Sequence, residues 1–260
     1  MITETPRVSN VPSFSVLGVR IDAVQIADVI DVFEAWIQER RGTQFVAVCN
    51  VHMVMEAKND PRFMEMLNTS GLTVPDGKPL TWIGSHLGFD LKRRVYGPDL
   101  FQDFLKVTNS RKYRHFFYGG HPDVTQRMIS KIQQHFPGTR IAGSYSPPFR
   151  ELTTEENSDA VAKINESHAD ILWVGLGCPK QEVWMYEHQH QVNVPVMVGV
   201  GQAFNIVAGN LNQAPRWMRE HGLEWLFRLL LEPRRLWKRY LVYNSKFIFH
   251  ITRESFFPKK

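Results

Sequence analysis

Apolar positions along this chain follow two alternating rhythms. Short, nearly continuous apolar runs at 44–49, 72–74, 115–118, 140–142, 170–174 and 194–198 have the length and β-branched or aromatic content of strands buried on both faces. Between them, at 51–68, 79–87, 99–109, 123–135, 154–167 and 180–189, apolar residues recur at helical spacing. Ahead of this alternation, two short strands about Gly18 and an amphipathic helix over 26–41 are expected. Strands alternating with helices of this length predict an α/β fold, a mostly parallel sheet covered by helices on both faces. No internal repeat or low-complexity linker interrupts the pattern.

In such sheets ligands bind where the chain leaves the carboxyl ends of the strands. The predicted exits carry Asn50 and His52, Pro75–Asp76–Gly77, Gly119–Gly120, Gly143 to Pro148, Gly175 to Glu182, and Gly199 to Phe204. Gly119–Gly120 and Gly175–x–Gly177 each lie between a strand and a helix opening with proline. Their backbone N–H groups suit a phosphate, although a tight turn needs the same glycines. The run Gly199–x–Gly201–x–x–Phe204 lacks the third glycine of a dinucleotide fingerprint, and no Walker pattern occurs. A nucleotide-dependent oxidoreductase is therefore disfavoured.

Asp76 follows a short apolar strand, which places a carboxylate at the ligand edge, where a general base for a hydroxyl would sit. The same Pro–Asp–Gly is also an ordinary turn, and on residue chemistry alone the turn is the commoner outcome. Arg93 and Arg94 enter the next helix and suit a diphosphate or carboxylate, while Lys180 and Gln181 open a helix whose dipole favours an anion. The ten histidines show no metal-ligand spacing, and the chain contains no Asp–x–Asp. No metal and no cofactor are expected, so a leaving anion would depend on Arg, Lys and helix N-termini.

With 260 residues, 43% of them hydrophobic, the chain can bury a large core, and two cysteines are too few for a disulfide framework. The first residues lack the features of a signal peptide, and no run of 18 apolar residues occurs, so a cytosolic protein that does not span a membrane is expected. Charge is uneven. Residues 211–260 hold eleven Lys/Arg against four Glu, together with ten of the 31 aromatic residues. This divides the chain into a domain over 1–210 and a basic, aromatic, helical appendage over 211–260. Leu223, Leu226, Phe227 and Leu230 form one apolar stripe, and Leu236, Tyr240, Tyr243 and Phe247 a second, flanked by Arg234, Arg235, Trp237, Lys238 and Arg239. Such helices bind an anionic membrane surface, or pack on the domain or on another subunit of a homo-oligomer; a nucleic-acid-binding module is the rival reading.

Taken together, the motifs resemble the WecG/TagA/CpsF family of bacterial glycosyltransferases from about Leu17 to Tyr243. The matching segments are Asn50–x–His52–x–Val54, Asp60–Pro61–x–Phe63, Val74–Pro75–Asp76–Gly77, Arg94–Val95–x–Gly97–Pro98–Asp99–Leu100, Phe117–x–Gly119–Gly120 and Leu176 to Glu182. Gly199–Val200–Gly201–x–Ala203–Phe204, Ala214 to Trp217, Glu224–Trp225–Leu226–x–Arg228 and Glu232 to Arg235 complete the set. The resemblance implies a Rossmann-like fold and inverting transfer of a hexose-type sugar from a UDP-sugar. The acceptor it implies is a polyprenyl-diphosphate-linked saccharide at the inner membrane face, used to build a cell-surface polysaccharide. It makes Asp76 the base and puts Arg94 on the diphosphate, helped by Lys180 and an arginine of the tail, Arg216, Arg234 or Arg235. Asn50 and Gln181 are expected to line the sugar and nucleotide pocket, with His52, Gly77, Gly119, Gly120, Gly177, Gly201 and Gln202 as further substrate contacts. Where the family usually has Gly–Gly–Ala–Phe–Asp, this chain has Gly201–Gln202–Ala203–Phe204–Asn205, so a donor-contacting loop differs.

Overall fold

The computed structural model describes residues 11–256; the side chains of Arg239, Ser255 and Phe256 lie outside the description. The chain opens with an antiparallel hairpin, β1 (Ser13–Val16) and β2 (Val19–Asp22), joined by Leu17 and Gly18. Both turn residues have positive φ, 52° and 93°, as a tight two-residue hairpin turn requires. Helix α1 (Ile26–Glu39) then leads into β3 (Gln44–Cys49), every residue of which is buried.

The single predicted helix over 51–68 is two. α2 (Val51–Asn59) and α3 (Pro61–Thr69) meet at Asp60, which ends the first and caps the second by accepting a hydrogen bond from Arg62 N at 2.9 Å. The break has a local cause: Pro61 supplies no N–H to continue the first ladder but fits the first position of a new helix.

Beyond them come β4 (Leu72–Pro75), α4 (Lys78–His86), α5 (Gly97–Thr108), β5 (Arg114–Gly119), α6 (Pro122–His135), β6 (Arg140–Tyr145), α7 (Thr154–Glu166), β7 (Ile171–Gly175), α8 (Lys180–His188), β8 (Val196–Gly199) and α9 (Ala203–Val207). Strands β3 to β8 form one six-stranded sheet in the order β4-β3-β8-β7-β5-β6, with every described pairing parallel. Alternation along the strands feeds two layers. Val46, Val48, Phe117, Trp173 and Val198 face α1, α5, α6 and α9. Phe45, Phe116, Leu172 and Met197 face α7 and α8, while Ala47 and Cys49 meet α2, α3 and the hairpin. This is the doubly covered parallel sheet the pattern implied, and the Rossmann-like fold the resemblance implied. Asp22 docks the hairpin beside β4 by accepting from Thr73 N at 2.7 Å.

After α9 the chain forms α10 (Arg216–Glu220), α11 (Glu224–Leu231), α12 (Pro233–Trp237), a π-helical turn (Lys238–Tyr243) and α13 (Asn244–Phe256). The last three follow one another without leaving helical backbone, since both Lys238 and Asn244 are right-handed helical. Leu236 and Phe247 are buried, and Phe247, with Tyr243 and Ile251 at its margin, joins the cluster of α2, α3 and the hairpin. The second apolar stripe of the tail therefore packs on the domain. Leu230, at the end of the first stripe, is exposed, and so are Leu231, Trp237, Leu241, Ile248 and Phe249. Among the described residues no helix is long and apolar enough to cross a membrane.

Candidate active site

The exits of β3 and β4 lie side by side, because Cys49 pairs with Pro75 in register. At the first, Asn50 caps α2, its Oδ1 accepting from His52 N at 3.1 Å and Met53 N at 3.3 Å. At the second, Asp76 N donates to Cys49 O at 2.7 Å, so its carboxylate departs from a backbone held by the neighbouring strand. Gly77 follows at φ 143°, a conformation that L side chains rarely adopt, and turns the chain into α4. Val95 N donates to Pro75 O at 2.8 Å, which draws the preceding residue, Arg94, alongside Asp76. Arg94 Nη1 lies 3.6 Å from Asp76 Oδ1.

Arg94 is shared. Its Nη2 forms an ion pair with Glu224, the first residue of α11, and its guanidinium lies 4.3 Å above the Tyr96 ring. Burial pulls the Arg94 pKa down, but Asp76 and Glu224 push it up by more, so the side chain is held as a cation. Burial also drives the Tyr96 phenol far above its ordinary value, reinforced by Glu224, to which it is hydrogen-bonded. Tyr96 is thus a neutral donor. The Cys49 thiol beneath is pushed well up by burial, then by the charges of Glu182 and Asp76, which removes it as a nucleophile.

These groups line a pocket of about 120 Å³, walled by Asn50, His52, Asp76 and Gly77 from the sheet edge and by Glu224, Trp225, Arg228, Tyr240 and Asn244 from the tail. Its size is below the roughly 300–1,000 Å³ of ordinary small-molecule sites, too small for a whole nucleotide-sugar. His52 also supports the tail, its ring 5.1 Å edge-on from Tyr243, which in turn is hydrogen-bonded to Glu56.

The glycine loops form a second group at the exits of β5, β7 and β8. Gly119 has φ 114°, and a Cβ there would come within 2.7 Å of the Gly175 backbone. Gly120 N donates to Gly175 O at 3.3 Å. Gln181 is buried, and its Oε1 accepts from both Gly177 N and Gly201 N at 3.1 Å, bracing two loops, while its Nε2 donates to Glu182 at 2.8 Å. Lys180 is exposed beside it at the start of α8. None of these residues walls the Asp76 pocket. Gln202 joins the two groups through a hydrogen bond from Arg228.

Among the remaining candidates, Arg234, Trp237 and Lys238 are exposed, and Arg235 is paired with Glu232. Arg216 is paired with Glu220 at 2.7 Å and lines a separate cleft. Arg239 carries no description of its side chain. No group of three His, Cys, Asp or Glu among the described residues is arranged to hold a metal ion. Sequence reasoning had not singled out Glu224, Tyr96, Arg228 or Tyr240 as members of the Asp76 pocket, although Glu224 and Arg228 stand in a motif it quoted.

The family model of the WecG/TagA/CpsF glycosyl transferases matches residues 14–260. The chain belongs to this family. Two similar proteins are N-acetylglucosaminyldiphosphoundecaprenol N-acetyl-beta-D-mannosaminyltransferases. The one from Bacillus subtilis strain 168 is 30% identical over 239 residues, covering 90% of this chain and 91% of its own. The one from Staphylococcus aureus strain NCTC 8325 is 26% identical over 232 residues, covering 89% and 88%. A third, of the same name, from Bacillus spizizenii strain W23, is 31% identical over 221 residues, covering 85% and 83%. As a member of the WecG/TagA/CpsF family the protein is a glycosyltransferase.

Proposed function

We propose that this glycosyltransferase moves an N-acetylhexosamine-type sugar from a UDP-sugar to a saccharide carried on a polyprenyl diphosphate, in the building of a cell-surface polysaccharide. The observation that carries the reading is the Asp76 carboxylate, held by strand backbone in a small pocket with the Arg94 cation 3.6 Å away. The names of the relatives supply the class of acceptor and of transferred sugar.

In this reading Asp76 takes the proton of the acceptor hydroxyl as its oxygen forms a bond to the anomeric carbon. The bond from that carbon to the diphosphate breaks on the opposite face, UDP leaves with the electron pair, and the configuration inverts. Charge developing on the diphosphate is met by Arg94 and by Arg228, both fixed in the pocket wall before reaction, so little reorganisation is needed. The glycine loops braced by Gln181 take the nucleotide end, with Gln202 and Arg228 at the junction. The segment 211–260 serves as an appendage that completes the pocket and meets the membrane. Its exposed Leu230, Leu231, Trp237, Leu241, Ile248 and Phe249, flanked by Arg234, Arg235 and Lys238, suit the anionic inner face of a bacterial membrane better than nucleic acid.

The test is Asp76→Asn, assayed with UDP-N-acetylmannosamine and an N-acetylglucosaminyl-diphosphate-prenol. We expect kcat to fall by about 10³-fold with donor binding retained. Near-normal turnover in the variant refutes the assignment of the base.

A further inference from the structure

A second, larger cavity adjoins the Asp76 pocket and is not explained by it. This cleft, of about 870 Å³, runs between α1, α5 and α10, and shares Lys78 and Arg94 with the Asp76 pocket as a common wall. Lys78, Arg93, Arg94, Lys106, Arg216 and Arg219 line it against only three carboxylates, Asp99, Asp103 and Glu220. Those three are engaged by Arg219 at 3.1 Å, Lys106 at 2.8 Å and Arg216 at 2.7 Å. Lys78 and Arg93 form no ion pair among the described residues. Two further donors in the wall, Arg219 Nε and Gln213 Nε2, are buried and find no acceptor there. A buried donor left unmade is costly, so the cleft is short of anionic oxygens.

Two exposed tryptophans stand on the helices that supply Lys78 and Arg216 to the cleft. Trp82, one turn beyond Lys78 on α4, is 60% exposed, and Trp217, beside Arg216 on α10, is 58% exposed. The two helices are brought together at Gly222, where a Cβ would lie 3.0 Å from Lys78 Cγ and 3.9 Å from the Trp82 ring. Exposed tryptophans beside cationic side chains are the composition of a surface that meets lipid headgroups.

From this arrangement we infer that the cleft holds the diphosphate of the lipid-linked acceptor, and that the acceptor reaches Asp76 from this side. The inference rests on the proposed function. An acceptor of that class is a linear molecule: the reacting hydroxyl at one end, a diphosphate one sugar ring away, and an apolar chain beyond. The protein presents matching groups: Asp76, the Lys78 and Arg94 wall shared by the two cavities, and the cationic cleft, with Trp82 and Trp217 exposed on the helices that carry Lys78 and Arg216. The donor approaches from the opposite side, where Gln202 meets Arg228.

Arg93→Glu and Lys106→Glu test this, since both side chains are exposed and lie outside the Asp76 pocket. Farnesyl diphosphate, titrated by tryptophan fluorescence with farnesol as the uncharged control, is expected to bind Arg93→Glu about tenfold more weakly than the unaltered protein. Lys106→Glu is expected to lose less, and Arg93→Lys to recover most of the affinity. In turnover, KM for the prenyl-diphosphate acceptor in neutral micelles should rise by the same factor, while KM for the UDP-sugar and kcat with a diphosphate-free glycoside acceptor stay unchanged.

Unaltered farnesyl diphosphate binding in both Glu variants overturns the inference, and so does an equal rise in donor KM. Loss of binding to phosphatidylglycerol vesicles with an unchanged acceptor KM assigns the cleft to bulk headgroups and overturns it as well. Failure of the unaltered protein to glycosylate any lipid-linked acceptor would instead refute the proposed function, and the farnesyl diphosphate titration would still decide what the cleft binds.

Discussion

The two walls of the Asp76 pocket are built on different principles. On the sheet side, Asn50 and Asp76 leave strands whose residues are almost entirely enclosed, and backbone hydrogen bonds to Cys49 and from Val95 fix their departure. On the tail side, Glu224, Arg228 and Tyr240 are held by side-chain contacts, to Arg94, Gln202 and Trp225, on helices that also carry exposed leucines and aromatics. The position of the Asp76 carboxylate is thus a property of the core. The closure of the pocket, and the placing of Arg228 in its wall, depend on how the tail is seated. Local stability follows the same division, since elements with few buried contacts open before the core does.

Substitutions on either side should separate these roles. Trp173→Ala removes a fully buried ring borne by β7 and should cost about 4 kcal/mol of global stability by urea denaturation, leaving turnover per folded molecule intact. Glu224→Gln takes one carboxylate from a buried, charged cluster and should weaken tail docking by about 3 kcal/mol. It should appear as proteolysis within 211–256 and a lowered kcat, with little change in the urea midpoint of the core. Phe247→Ala should loosen the same segment by about 2 kcal/mol, because the helix can detach instead of leaving a rigid cavity.

A pH experiment probes the core alone. His115 is buried beside Thr108 and Trp173, and burial lowers its pKa to about 3 from an ordinary value near 6.5. Below about pH 6.5 the unfolded chain takes up a proton that the native state refuses. Stability relative to His115→Gln should therefore fall by about 1.4 kcal/mol per pH unit down to about 3, and stay level above 6.5. The smallest effect is expected for Asn50→Ala, about 1 kcal/mol from the lost helix cap, measured by thermal denaturation.

The core was readable because its strands are covered on both faces and leave continuous apolar runs: the strand expected over 44–49 is β3 as found. The break at Asp60 was missed because the apolar spacing carries on through it, although Pro61 marked the place. Strand exits could be gathered on one edge, but not sorted into pockets. That Gln181 faces two glycine amides while Asp76 faces Arg94 depends on strand order, with β8 inserted between β3 and β7, which no local pattern encodes. Glu224 was the least visible of all. In sequence it is an acid opening an amphipathic helix, where the macrodipole alone would explain it, and only the fold brings Arg94 to meet it across 130 positions.

That long-range pairing bears on how the protein is made. Synthesis proceeds in chain order, so Asp76 and Arg94 are added well before residue 224. Until then Arg94 lacks Glu224 and the pocket lacks Arg228 and Tyr240. The Asp76 pocket is therefore completed only after both of its walls have been made, the sheet edge first and the tail helices second.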